Sequence, residues 1–108
     1  IPDRGDLVWL NFTPQSAHEQ MGKRPAIVLS PLEYNQKVGL AIFCPITSRE
    51  KGYPFEVKLP KFSKVKGVIL SDQMKSLDWQ SRETKFVEKT DLATVTTCLK
   101  KVMVLLQI

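Results

Sequence analysis

Residues 90–108 read TDLATVTTCLKKVMVLLQI. Leu92, Val95, Leu99, Val102 and Leu106 recur there at helical spacing, and Cys98 and Met103 widen the apolar stripe. Thr90 or Asp91 can cap the start, while Lys100 and Lys101 favour the negative end of the helix dipole. The spacing predicts a helix of roughly 24 Å at 1.5 Å per residue. The segments before it read mostly as short strands, so the expected fold is mainly β: a small curled sheet or partial barrel closed by a C-terminal helix.

Upstream, Lys85–Val87 is a possible short strand within the ambiguous stretch 79–86. Gly67–Leu77 reads as one strand carrying Asp72, Gln73, Lys75 and Ser76 at its far end. Pro60–Lys66 is a basic turn, and Phe55–Leu59 alternates like a half-exposed strand. Gly39–Ile46 is an apolar strand that Pro45 demotes to an edge or bulge near its end. Pro31–Val38 reads as a connector with Asn35 near its tip. Ala26–Leu29 is an unbroken apolar run, as expected of a strand buried on both faces. Thr13–Lys23 has no apolar period and makes a polar loop, long against the usual 2–6 residues and so a candidate for function. Gly5–Phe12 alternates as a strand with one strongly buried face.

The chain has 108 residues, 43% hydrophobic and 25% charged, which fits one globular domain over 1–108 and excludes wholesale disorder. No apolar run approaches the ~18 residues of a membrane span. The start, Ile1-Pro2-Asp3-Arg4, lacks a signal-peptide stretch and an initiator Met, so trimming or renumbering is expected. Cys44 and Cys98 lie in unlike contexts, as reduced core thiols of a cytoplasmic protein would. The net charge is +5 and is concentrated. Residues 49–75 hold seven basic groups against three acidic ones, whereas residues 1–48 balance at four of each. A basic zone attracts a polyanion through phosphate contacts and counterion release, although a lysine-rich solvated hairpin has the same composition.

Five scattered glycines make no phosphate loop, one His and two distant Cys make a metal site improbable, and no Ser sits in a strand–elbow–helix context. What remains are polar residues at strand ends: Glu19 and Gln20, Arg24, Thr47 and Ser48, and Asp72 with Gln73 and Lys75. Arg24 opens an apparently buried strand, so it either pairs with Asp6 or Glu19 or aims its fork at a phosphate. Thr47 is either a plain strand end or a hydroxyl donor to a phosphate oxygen. Trp9 and Trp79 read mainly as core or interface residues.

The runs GDLVWLNFTP at 5–14, HEQMGKRPAIVLS at 18–30, CPITSREKGYPFEV at 44–57 and GVILSDQMKSLDW at 67–79 resemble the MazF/PemK toxins of bacterial toxin–antitoxin systems. The resemblance spans nearly the whole chain in order and is closer to the MazF branch than to distant relatives. It implies an SH3-like barrel with a C-terminal helix, acting as a homodimer held in check by an antitoxin with a flexible acidic tail. It implies a metal- and cofactor-independent endoribonuclease cutting single-stranded mRNA by 2′-hydroxyl attack, leaving 2′,3′-cyclic phosphate and 5′-hydroxyl ends. By the same resemblance the catalytic arginine falls on Arg24, the catalytic threonine on Thr47, and the loop pair on Glu19 and Gln20.

Arg24 and Thr47 could donate to a dianionic phosphorane without a metal. Glu19 is the better proton acceptor on chemical grounds, with His18 next by pKa. Gln20, Asn35, Ser48 and Gln73 have side chains suited to reading exposed bases. Lys23, Lys51, Lys64 and Lys75 would meet phosphates. The alternative is a non-catalytic toxin binding DNA gyrase on the same fold, like the CcdB group, which depends on an exposed Trp at the helix end. This chain ends Val104-Leu105-Leu106-Gln107-Ile108 and lacks one. A purely RNA-binding relative is the third reading.

Overall fold

The computed structural model describes residues 1–12 and 22–108. In chain order the elements are β1 (Asp6–Asn11), β2 (Lys23–Val28), α1 (Leu32–Val38), β3 (Leu40–Thr47), β4 (Glu56–Lys58), β5 (Val68–Leu70), β6 (Lys75–Asp78), β7 (Lys85–Lys89) and α2 (Leu92–Leu106). The strands form an antiparallel sheet in the order β4-β5-β3-β2-β1-β7, with β6 also paired to β3. The sheet curls without closing, so the expected mainly β, barrel-like architecture with a terminal helix holds.

Its core has two compartments. Leu7, Ile27, Cys44, Ile46 and Ile69 face α2, where Val95, Cys98 and Val102 complete the cluster. Val8, Leu10, Ala26, Val28, Ala41, Phe43 and Leu77 form the other. Period-two alternation sends neighbours on one strand to opposite faces, so β1 is buried on both, not on one as its sequence reads. Trp9 is its exception, at 44% exposure. Burying a Leu, Ile or Val fully contributes about 1.5–3 kcal/mol each.

Several expectations are corrected. Residues 32–38 are a helix, not a connector: Glu33 and Lys37 sit at the favourable ends of its dipole, and Gly39 caps it at φ 80°. Asn35 is therefore fully buried. Its Nδ2 donates to the Pro2 carbonyl at 2.8 Å and the Ser30 carbonyl at 3.0 Å, and its Oδ1 accepts from Ser30 Oγ at 2.6 Å. It ties the N-terminus to α1 and has no polar group left to read a base. Residues 67–77 are two strands broken by a turn, in which Gln73 N–H donates to Leu70 O. Both strands lie on one edge of β3: β6 pairs with Leu40–Phe43, β5 with Ile46 and Thr47. Pro45 falls at the handover, inside a strand paired on both edges, where its missing donor is tolerated. In α2, Leu92 and Leu106 are exposed, because the sheet covers only the middle of the helix. The helix also runs past Lys100 and Lys101, leaving no basic residue in its last turn.

Candidate active site

The register of β2 against β3 pairs Ala26 with Pro45. Carried two residues further, it sets Arg24 across from Thr47, at the open end of the core that Val28 and Phe43 fill. Arg24 lies 5.8 Å above the Phe12 ring, and Lys75 Nζ lies 5.8 Å from the same centroid. The π-system of Phe12 thus attracts both cations. The pairing of Arg24 with Asp6 is absent: Asp6 takes Lys89 at 2.8 Å instead. Arg24 has no ion pair among the described residues.

Thr47 ends β3. Its Oγ1 accepts the Arg49 N–H at 3.2 Å, which leaves the hydroxyl proton free to be donated elsewhere. The backbone here is held from behind by Gly67, at φ 124°. A Cβ on Gly67 would sit 2.1 Å from the Thr47 carbonyl oxygen, so only glycine allows β5 to begin there.

Arg24 and Thr47 form the shared wall of two depressions. The first is a cavity of about 550 Å³ that also takes in Arg49, Lys51, Tyr53, Glu56, Asp72 and Gln73. Glu56 organises its rim, its carboxylate accepting backbone N–H groups from Lys51 (3.0 Å), Gly52 (3.1 Å) and Tyr53 (3.3 Å). Tyr53 OH donates to Asp72 Oδ2 at 2.6 Å, closing the rim against the 71–74 turn. That bond pushes the Tyr53 phenol above its ordinary range. Asp72 Oδ1 is buried and has no donor among the described residues.

The second is a groove of about 450 Å³ with Trp9, Lys23, Ser48, Lys64 and Lys66 among its lining residues. Glu88 holds its basic turn in place, accepting from Ser63 Oγ and Lys64 N, both at 2.7 Å. The Ser63 hydroxyl and these amides keep the Glu88 carboxyl below the usual range.

Of the residues singled out in the sequence, Arg24, Thr47, Lys51 and Gln73 meet in the cavity. Lys23, Ser48 and Lys64 line the groove, and Lys75, like Arg24, lies 5.8 Å from the Phe12 ring centre. Asn35 is elsewhere, in the core. His18, Glu19 and Gln20 lie outside the described residues. Sequence reading missed Arg49, Tyr53 and Glu56 as cavity residues. Gly67, too, stood only as the start of a strand.

Comparisons with known proteins place the chain in a family. The family described as "PemK-like, MazF-like toxin of type II toxin-antitoxin system" matches residues 3–106. The chain is 50% identical over 82 residues to the endoribonuclease toxin MazF of Escherichia coli K12, covering 76% of this chain and 73% of that one. It is 37% identical over 89 residues to the endoribonuclease toxin ChpB of the same organism, covering 77% and 75%. A crystal structure of MazF from Deinococcus radiodurans superposes with a TM-score of 0.90 at 51% identity, covering 100% of this chain and 98% of that one. A MazE–MazF complex from the same species aligns at 0.88 and 45%, covering 100% and 97%. By the family match over residues 3–106, the half-identical relative and the superposable fold, the chain belongs to the PemK-like, MazF-like toxins of type II toxin–antitoxin systems.

Proposed function

We propose that this toxin is an endoribonuclease that cuts single-stranded mRNA between Arg24 and Thr47, without a metal. The 2′-oxygen attacks the neighbouring phosphorus, the P–O5′ bond breaks, and a 2′,3′-cyclic phosphate and a 5′-hydroxyl remain. The attacking hydroxyl loses a proton and the departing 5′-oxygen gains one. Arg24 and the Thr47 hydroxyl donate to the phosphorane oxygens. The observation carrying this reading is that Arg24 and Thr47 line one cationic cavity, with the Thr47 hydroxyl donating to none of the described residues. Arginine is a poor base, so Glu19 is assigned the proton acceptor. Asp72 is the second candidate, because it is a carboxylate residue of the same cavity lining. Gln20, Ser48 and Gln73 contact bases, and His18, Lys23, Lys51 and Lys75 assist binding.

The partners proposed are a second copy of the chain and an antitoxin with an acidic tail that competes for the basic surface. Relatives crystallised as MazE–MazF complexes support the latter. Purified protein is expected to cut a long mixed-sequence RNA in EDTA and leave cyclic-phosphate ends. Intact RNA, or 3′-hydroxyl ends, would overturn the reading. Gyrase inhibition in the same preparation would favour the CcdB-like alternative. The work site proposed is the cytoplasm, where the mRNA substrate is.

A further inference from the structure

An RNA cut at the Arg24–Thr47 wall must continue on both sides of it, and the two depressions differ in chemistry. The cavity carries carboxylates, an amide and a phenol beside its cations, groups that accept and donate in fixed directions. Among the described residues the groove lining holds no carboxylate. Its charged side chains are Lys23, Arg24, Lys64 and Lys66, and its apolar surface comes from Trp9, Pro25 and Val87. Lys23 meets Glu83 only at 4.0 Å, and so retains most of its attraction for another anion. Trp9 is the one exposed residue of β1, set between Pro25 on β2 and Lys85 on β7. A strand buried everywhere else thus presents an indole to solvent among lysines. That combination suits a flat apolar base joined to phosphates. It suits an apolar helix poorly, because three lysine ammonium groups would have to be desolvated.

We propose that the Trp9 groove is a sequence-tolerant nucleotide subsite: a base flanking the scissile linkage stacks on the Trp9 indole while Lys23, Lys64 and Lys66 hold adjoining phosphates. The proposal rests on the endoribonuclease reading above. It divides the labour of the site: the cavity selects sequence, and the groove adds affinity, because stacking accepts any base.

The test begins with the cut site mapped on a long transcript using wild-type protein, and absence of cutting would count against the endoribonuclease reading itself. With cutting established, Trp9→Ala is expected to raise KM or Kd about 5- to 150-fold, the range for losing one base–aromatic stack. Its cleavage motif stays the same, and Trp9→Phe keeps most of the affinity. Should Trp9→Ala fold poorly, Trp79→Phe leaves Trp9 as the single indole. A single-stranded RNA carrying 2′-deoxyribose at the mapped linkage should then quench its fluorescence, and an abasic residue beside the linkage should abolish the quenching. Unchanged KM in Trp9→Ala, or bound RNA that leaves Trp9 fluorescence unaltered, overturns the subsite alone. Loss of self-association or of antitoxin binding with unchanged RNA affinity also overturns it, and assigns the groove to a protein.

Discussion

At the scale of single residues, the site depends on side chains whose neighbours leave them one free function. Thr47 accepts from Arg49 and keeps a proton; Arg24 rests on Phe12 and keeps its fork. Arg24→Ala is expected to lower cleavage by about 100-fold or more, the cost of removing one donor to a charged transition state. Folding should persist, since Arg24 is only part-buried and contributes no ion pair among the described residues. A variant cutting at the wild-type rate would refute the assignment. Gly67→Ala tests the support behind Thr47. The added Cβ must push the Thr47 carbonyl aside from 2.1 Å, so both stability and activity should fall, stability by about 1–3 kcal/mol. Denaturant melts and cleavage rates on one preparation read both. The proton acceptor is open to the same approach. If Glu19 is the base, Glu19→Gln removes the acid limb of the pH–rate profile and Asp72→Asn does not; the reverse outcome identifies Asp72.

At the scale of elements, carboxylates fix the two loops that border the site. Glu56 gathers three backbone N–H groups of the 51–53 turn, and Gly52 bends there at φ 77°. A glutamine offers one acceptor oxygen in place of two and brings an unwanted donor. Glu56→Gln should therefore loosen the rim at a cost of about 1–3 kcal/mol, visible as faster amide exchange at residues 51–53. Glu88 plays the matching part for the basic turn. Its carboxyl is depressed by Ser63 and the 64–65 amides, so its contribution is present above the unfolded-state pKa of about 4.3 and is lost as pH falls through the lower folded value. Acid should consequently loosen residues 61–66 while Glu88→Gln loosens them at every pH, a difference readable by exchange at Lys64. Much of this scale was legible beforehand. β1 and α2 announce themselves by period, β2 by its unbroken apolar run, and the basic turn by composition. α1 did not, because seven residues give too few turns for a period to emerge, and its stability comes from Asn35 bonding to Pro2 and Ser30.

At the scale of the molecule, the charge that the sequence concentrates in 49–75 is split between the two depressions. Arg49 and Lys51 go to the cavity, Lys64 and Lys66 to the groove. Lys64→Ala and Lys66→Ala should each reduce the salt dependence of RNA binding by about one unit of slope without changing the cleavage motif. Binding that is indifferent to salt would contradict a phosphate role. The N-terminal segment is tied to the end of β7 by Lys89, which reaches Asp6 at 2.8 Å and Asp3 at 3.3 Å. Burial disfavours the Lys89 charge, yet the two aspartates outweigh it and raise its pKa. That stabilisation is complete below the ordinary lysine value of about 10.4 and is lost as pH rises through the higher folded one. In the core, Cys44 and Cys98 both stay buried as thiols, and the neighbouring Cys98 sulfur together with burial keeps Cys44 protonated.

The sequence by itself determined the mainly β class, the terminal helix and the basic zone, and through the family resemblance it singled out Arg24 and Thr47 as candidates, because period, charge and motif are local properties of a chain. Tertiary structure alone decided that Asn35 is a core staple, that 67–77 turns between two partners on one edge of β3, and that Trp9 looks outward beside lysines more than fifty residues away in the chain. Those outcomes come from strand pairing across long loops. The free energy of such pairing lies in the register and packing of distant segments, and no window of neighbouring residues contains it.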